Sequence, residues 1–181
     1  TLIAGDVGAF QVVGNELQTA TAIDYEAQSS YAVTVRTTDA GGLTFDKQFT
    51  ISVVDVNEAP ADLALSSHTV DENAVVGTVV GALSTTDPDA GDSFTYALVA
   101  GDVGAFQIVG NELQTAVSFD YETQNSYTVT VRTTDAGGLT FDKQFTINVL
   151  DVNEAPTDLS LSANTVAENA AAGTTAGTLS T

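Results

Sequence analysis

The stretch Asp55–Pro60, "DVNEAP", returns unchanged at Asp151–Pro156, 96 positions later. It belongs to a longer match. Ala4–Pro60 and Ala100–Pro156 align without a gap, and most of their differences are mild, as in Val12 to Ile108. A looser match links "TVDENAVVGTVVGALST" from Thr69 to "TVAENAAAGTTAGTLST" from Thr165 at the same spacing. Self-similarity at a fixed period of this size marks an array of repeated modules. The phase divides the chain in three. Residues 1–58 read as the C-terminal part of one repeat, 59–154 as a complete repeat, and 155–181 as the N-terminal two strands of a further one. The two partial pieces together lack only the equivalents of Thr86–Tyr96, the acidic loop "TDPDAGDSFTY".

Within the complete repeat the hydrophobic period is two. Tyr127, Val129 and Val131 alternate with Thr128, Thr130 and Arg132, the pattern of a half-buried strand. Leu139, Phe141, Phe145, Ile147 and Val149 share one parity, interrupted by Lys143. That lysine sits near an edge or bulge, or sends its ammonium outward along an apolar stem. Phe94, Tyr96 and Leu98 form another alternating set, and "DAGD", "GDVGAF", "VGNEL" and "DAGG" punctuate the runs. No segment holds a helical period. The rhythm predicts an all-β fold of about seven strands per repeat, a Greek-key sandwich.

Composition narrows the function. The 181 residues carry 24 acids and 4 bases, a formal charge of −20, so nucleic acid and anionic lipid are repelled. With 43% apolar residues in alternating runs, the chain is not of the disordered class. Cysteine is absent, which removes disulfides, thiolate chemistry and thiolate zinc sites. No run approaches the ~20 apolar residues of a membrane span. No signal peptide is legible, so the sequence reads as a mature or excised piece. The excess acid is either a solubilising coat or a cation-binding set.

Position favours the cation. The acids of the complete repeat cluster at Asp71-Glu72, Asp87/Asp89/Asp92, Asp120/Glu122, Asp135 and Asp151/Glu154, mostly at strand ends and turns. A charge coat would also occupy outward strand positions, where Thr, Gln and Ser stand instead. "DPD" and "DYE" put paired carboxylates on one side of an extended chain. Two such charges about 4 Å apart repel by roughly 4 kcal/mol at an effective dielectric near 20. Hard divalent cations take six to eight oxygens at flexible sites of this kind.

At these residues the repeat resembles a cadherin repeat, in the divergent form of tandem arrays in large bacterial surface adhesins. The motifs "DENA", "DPD", "FDYE" or "IDYE", "TTDAGG" and "DVNEAP" occur in the family's order. The resemblance implies Ca2+ at the junctions between modules. At the first junction it implies Asp24 and Glu26, then Asp55, Asn57 and Glu58 with the carbonyls of Val56 and Ala59, then Asp87, Asp89 and Asp135. At the second it implies Glu72, Asp120, Glu122, Asp151, Asn153 and Glu154 with the carbonyls of Val152 and Ala155. Glu168 and Asp39 belong by the same pattern to junctions only half contained in the chain. Asp92 falls outside the implied set. Glu58 and Glu154 stand where the family more often has Asp. Tryptophan is absent, which excludes the tryptophan-anchored strand exchange of vertebrate cell–cell cadherins.

The expected function is a calcium-stiffened spacer in an extracellular, repetitive adhesin or surface filament. Its partners are neighbouring repeats of the same chain or identical chains head to tail, the tail strands of one completing the head of the next. A glycan-binding module is a weaker reading, because the few aromatics share parity with core positions. Catalysis is weaker again. The sole histidine, His68, is replaced by Asn164 in the other copy, and the paired carboxylates recur at junctions rather than in one cleft.

Overall fold

A computed structural model describes all residues from Thr1 to Thr181. Residues 1–58 hold two sheets. One has the order β1 (Leu2–Gly5), β4 (Ser30–Thr38), β5 (Thr44–Ser52), and the other is the hairpin β2 (Phe10–Val13) with β3 (Glu16–Thr19). Residues 53–61 then run without regular structure into a two-layer sandwich. Its strands are β6 (Asp62–Leu65), β7 (Thr69–Asp71), β8 (Val79–Thr86), β9 (Thr95–Gly101), β10 (Phe106–Val109), β11 (Glu112–Thr115), β12 (Ser126–Thr134) and β13 (Thr140–Leu150). One layer has the order β10-β11-β8-β6 and the other β7-β13-β12-β9. A second irregular connector precedes the small hairpin of β14 (Ser160–Leu161) and β15 (Leu179–Ser180).

The expected all-β sandwich is therefore present, with one refinement to the strand count. The opening strand of the module is divided: β6 pairs antiparallel with β8 in one layer, and β7 pairs parallel with β13 in the other. The polar break Ser66-Ser67-His68 carries the chain from layer to layer. His68 is structural: its ring lies 5.7 Å from that of Phe145, and its carbonyl accepts the Asn148 amide at 2.8 Å.

The alternation read from the sequence builds the core. Val129 and Val131 from β12, and Phe145, Ile147 and Val149 from β13, meet Leu63, Leu65, Val70, Val80, Leu83 and Leu113. Leu139 precedes β13 and is exposed, so the inward parity begins at Phe141. Burying each large aliphatic side chain contributes about 1.5–3 kcal/mol. Lys143 interrupts the set without a bulge, since β12 and β13 keep an unbroken register from Ser126↔Asn148 to Thr134↔Thr140. Its stem follows the inner face and its ammonium reaches Asp62 on β6, 2.7 Å away.

Gly101 closes β9 at φ +84°, and a side chain there would meet the backbone of Thr128 and Val129. Gly104, three residues on, has open space around it. Gly101→Ala is expected to destabilise the module by at least ~2 kcal/mol through both strain and overlap, whereas Gly104→Ala stays within ~0.5 kcal/mol. Chemical denaturation of the two variants checks this.

Candidate inter-module acidic sites

Each connector is extended, because a proline ends its acidic run and no strand partner is offered to it. The connector therefore lies alongside the turns of the sandwich, and acids distant in sequence converge. Glu26, Asp55 and Asp89 each bring one oxygen within 4.8 Å of the others. Asp87, Asp92 and Asp135 form a second such group, and Glu72, Glu122 and Asp151 a third. The first two lie where residues 1–58 meet the sandwich; the third lies where the sandwich leads into residues 155–181.

Hydrogen bonds fix the first junction. The Glu58 amide donates to Asp89 Oδ2 at 2.8 Å, and Asn57 Nδ2 donates to Asp135 Oδ2 at 3.0 Å. Asp135 is buried, and its other oxygen accepts the Leu139 amide at 2.7 Å. The Asp89 amide donates to Asp87 Oδ1 at 3.0 Å, while Asp87 Oδ2 is buried and accepts nothing. An unpaired buried carboxylate oxygen is costly. Gly137 leaves room for the Asn57 side chain, which a Cβ there would displace.

The second junction turns on Glu72, which is only 3% exposed. Its Oε2 accepts the Tyr121 amide at 2.8 Å and its Oε1 the Val152 amide at 2.7 Å. One carboxylate thus clasps the turn before β12 and the connector after β13. Asn73, at φ +58°, donates from Nδ2 to Glu154 Oε1 at 2.6 Å.

The sequence-derived residues distribute as follows. Glu26, Asp55, Asp87, Asp89, Asp135, Glu72, Glu122 and Asp151 all fall in the three groups. Asn57, Glu58 and Glu154 adjoin them through the bonds above, and Asn153 and Ala155 line the surface hollow beside Glu122 and Asp151. Val56, Ala59 and Val152 lie in the connectors. Asp24 and Asp120 each accept an amide of their own turn, from Ala27 and Thr123, at 3.0 Å. Glu168 is exposed in the tail. Asp92, outside the implied set, is drawn beside Asp87 and Asp135, and Oδ2 accepts the Ala136 amide at 3.3 Å.

No basic side chain neutralises these groups. Arg36 pairs with Asp46, Arg132 with Asp142 and Lys143 with Asp62, all among strand residues, and Lys47 lies 5.3 Å from the Phe49 ring centre. The crowding shows in two glutamates held above the ordinary carboxylate range. For Glu26 a backbone hydrogen bond pulls downward, but desolvation, the charges of Glu58 and Asp55, and a hydrogen bond with Asp24 together prevail. For Glu122 a backbone hydrogen bond is likewise outweighed by desolvation and the charges of Glu72, Glu154 and Asp151.

The sandwich thus carries acids gathered at both of its ends, facing the connectors on either side. Residues 66–150 match the cadherin domain and belong to that family. Mouse Protocadherin Fat 4 (Mus musculus) is 33% identical over 93% of this chain, and human Protocadherin Fat 1 (Homo sapiens) is 33% identical over 78%. The chain spans only 4% and 3% of the length of those two relatives. Among solved structures, the Protocadherin GammaB4 extracellular domain aligns with TM-score 0.67 at 27% identity, over 90% of this chain and 28% of that one. Protocadherin Gamma B2 extracellular cadherin domains 3–6 align with TM-score 0.73 over 99% of this chain and 46% of that one; at 23% identity this speaks for the fold alone. Cadherin-family proteins are cell-surface adhesion molecules rather than enzymes, and the module is an extracellular one. No helix here is long and apolar enough to cross a membrane.

A carboxyl group whose folded value is raised favours the protonated fold, so its contribution is fully present below the unfolded value and is lost as pH rises through the folded one. With chelator present, lowering pH from about 7 toward about 5 is expected to raise the melting temperature as Glu26 and Glu122 take up protons. Thermal melts across pH, with and without chelator, test it.

Proposed function

We propose that this segment is a calcium-stiffened spacer of an extracellular adhesin or surface filament, with Ca2+ held at the junctions between modules. The observation that carries this reading is the convergence of carboxylates from module, connector and next module with no protein cation among them. The donor set suits the ion: oxygen only, from carboxylates, an asparagine and backbone. The buried, unpaired Asp87 Oδ2 supplies an atom in want of a partner.

At the first junction Glu26, Asp55, Asn57, Asp87, Asp89 and Asp135 would hold the metal, with Asp24, Glu58 and the Val56 and Ala59 carbonyls at hand. At the second, Glu72, Glu122 and Asp151 would do so, with Asp120, Asn153, Glu154 and the Val152 and Ala155 carbonyls. Without the ion, like charges push the connector from the module and the junction flexes. With it, module and connector share ligands and move as one body. Near-identical copies suit such a role, since a spacer needs no unique surface. Residues 1–58, 59–154 and 155–181 are then parts of three successive modules.

Small-angle scattering across a calcium titration should show the maximum dimension settling at one extended value; an identical profile in chelator would overturn the reading. Extracellular modules of this kind bind at about 0.1–1 mM. Glu122→Gln is expected to weaken calcium binding by ~10-fold, the scale on which ligand charge tunes such sites. Asp142→Asn, remote from the junctions, should leave it unchanged by isothermal titration calorimetry.

A further inference from the structure

The loop joining β8 to β9 carries three acids, Asp87, Asp89 and Asp92. The first two stand where the cadherin pattern expects ligands, and Asp92 has no part in that pattern. The fold brings it back to them. The chain turns at Ala90 and Gly91, and Gly91 takes φ +86°, a conformation that a side chain would strain. Asp92 is thereby returned toward the start of the loop. One oxygen from each of Asp87, Asp92 and the buried Asp135 lies within 4.8 Å of the other two.

Two backbone donors fix Asp92. Its Oδ1 accepts the Ser93 amide at 2.9 Å and its Oδ2 accepts the Ala136 amide at 3.3 Å. The second bond crosses from the loop to the turn after β12, and Ala136 directly follows Asp135. A carboxylate oxygen has room for two partners, so both oxygens of Asp92 can still serve a cation. Were the loop held by hydrogen bonds alone, the residue brought beside Asp87 would be a donor, because Asp87 Oδ2 is buried and accepts nothing. A third acceptor stands there instead. No base pairs with it, since Arg132 and Lys143 are engaged by Asp142 and Asp62. Convergent carboxylate oxygens are the donors that a hard divalent cation takes.

The source of the three acids is also distinct. Glu26 and Asp55, which converge with Asp89, precede the complete repeat. Asp87, Asp92 and Asp135 all lie within residues 59–154.

We propose that Asp92 is a further calcium ligand, which gives the module a carboxylate trio of its own able to hold an ion without the acids that precede it. Resting on the cation reading of these acids, the assignment adds a residue outside the family's pattern and a binding step that belongs to one module. The ion would tie the loop of residues 87–94 to the turn after Asp135, so that order in the loop depends on calcium.

Nuclear magnetic resonance of the 181-residue chain, titrated with calcium chloride beside isothermal titration calorimetry, tests this. The Ser93 and Ala136 amide signals, whose hydrogens bond to Asp92, are expected to move with calcium. Asp92→Asn should weaken the step they report by about ten-fold, the scale on which ligand charge tunes such sites. In chelator the same variant should melt no lower than the parent chain, because asparagine keeps an acceptor and removes a repelling charge. Glu26→Gln combined with Asp55→Asn should leave the Ser93 and Ala136 response in place. Calcium binding that moves neither signal, or that Asp92→Asn does not weaken, overturns the assignment and leaves the cation reading standing. Loss of the response in the Glu26→Gln, Asp55→Asn chain overturns the independence of the trio. A chain that binds no calcium by calorimetry overturns both.

Discussion

The carboxylate of Glu72 is the interaction on which the module's closure depends. It is buried, it accepts two amides, and those amides belong to segments 31 residues apart, at Tyr121 and Val152. A buried acid with both oxygens engaged by backbone donors is stable where an unpaired one is not. Through it the opening strand, the turn before β12 and the departing connector are held to one point. The backbone adds its own support, since the Glu72 amide donates to the Leu150 carbonyl at 3.0 Å and Asn73 to Phe119 at 2.9 Å.

Around that point the chain separates its charges by location. Three of the four basic side chains pair with acids on the strands, where Asp46, Asp62 and Asp142 are held below the ordinary carboxylate range by hydrogen bonds from Arg36, Lys143 and Arg132. These exposed pairs contribute little to stability, but they use up the basic side chains. The junction acids are left with only their mutual repulsion and their hydrogen bonds to backbone and asparagine. The apolar core between the layers carries the fold without them.

Much of this was legible in the sequence because its physical cause is local. Alternation along β12 and β13 depends only on the period of a strand, and the repeat announces the modules directly. The convergence of Glu26 with Asp55, or Glu72 with Glu122, was readable through the ordered motifs. What escaped depended on tertiary placement. The division of the opening strand between two layers leaves only a polar break at Ser66–His68. Asp92 joins Asp135 across 43 residues, and nothing in "AGDS" distinguishes it from an ordinary turn. Asp24 and Asp120 each accept the amide three residues further on, of Ala27 and Thr123, a local turn bond that the motifs do not announce. Lys143 reads as an edge or bulge residue or as one sending its ammonium outward, and only the position of Asp62 shows that the second holds and where the ammonium goes.

The parallel pairing of β7 with β13 has a mechanical consequence. Asn148↔Thr69, Val149↔Val70 and Leu150↔Asp71 join the module's opening segment to its closing strand with both running the same way. The chain thus enters at one pole of the sandwich and leaves at the other. Tension applied between the two poles would pull these strands past each other, loading their hydrogen bonds and the contacts of Val70 with Val149 in shear, together. Antiparallel terminal strands would be peeled apart one bond at a time. The arrangement that lets modules follow one another in line is also the one that makes each of them resist being drawn out.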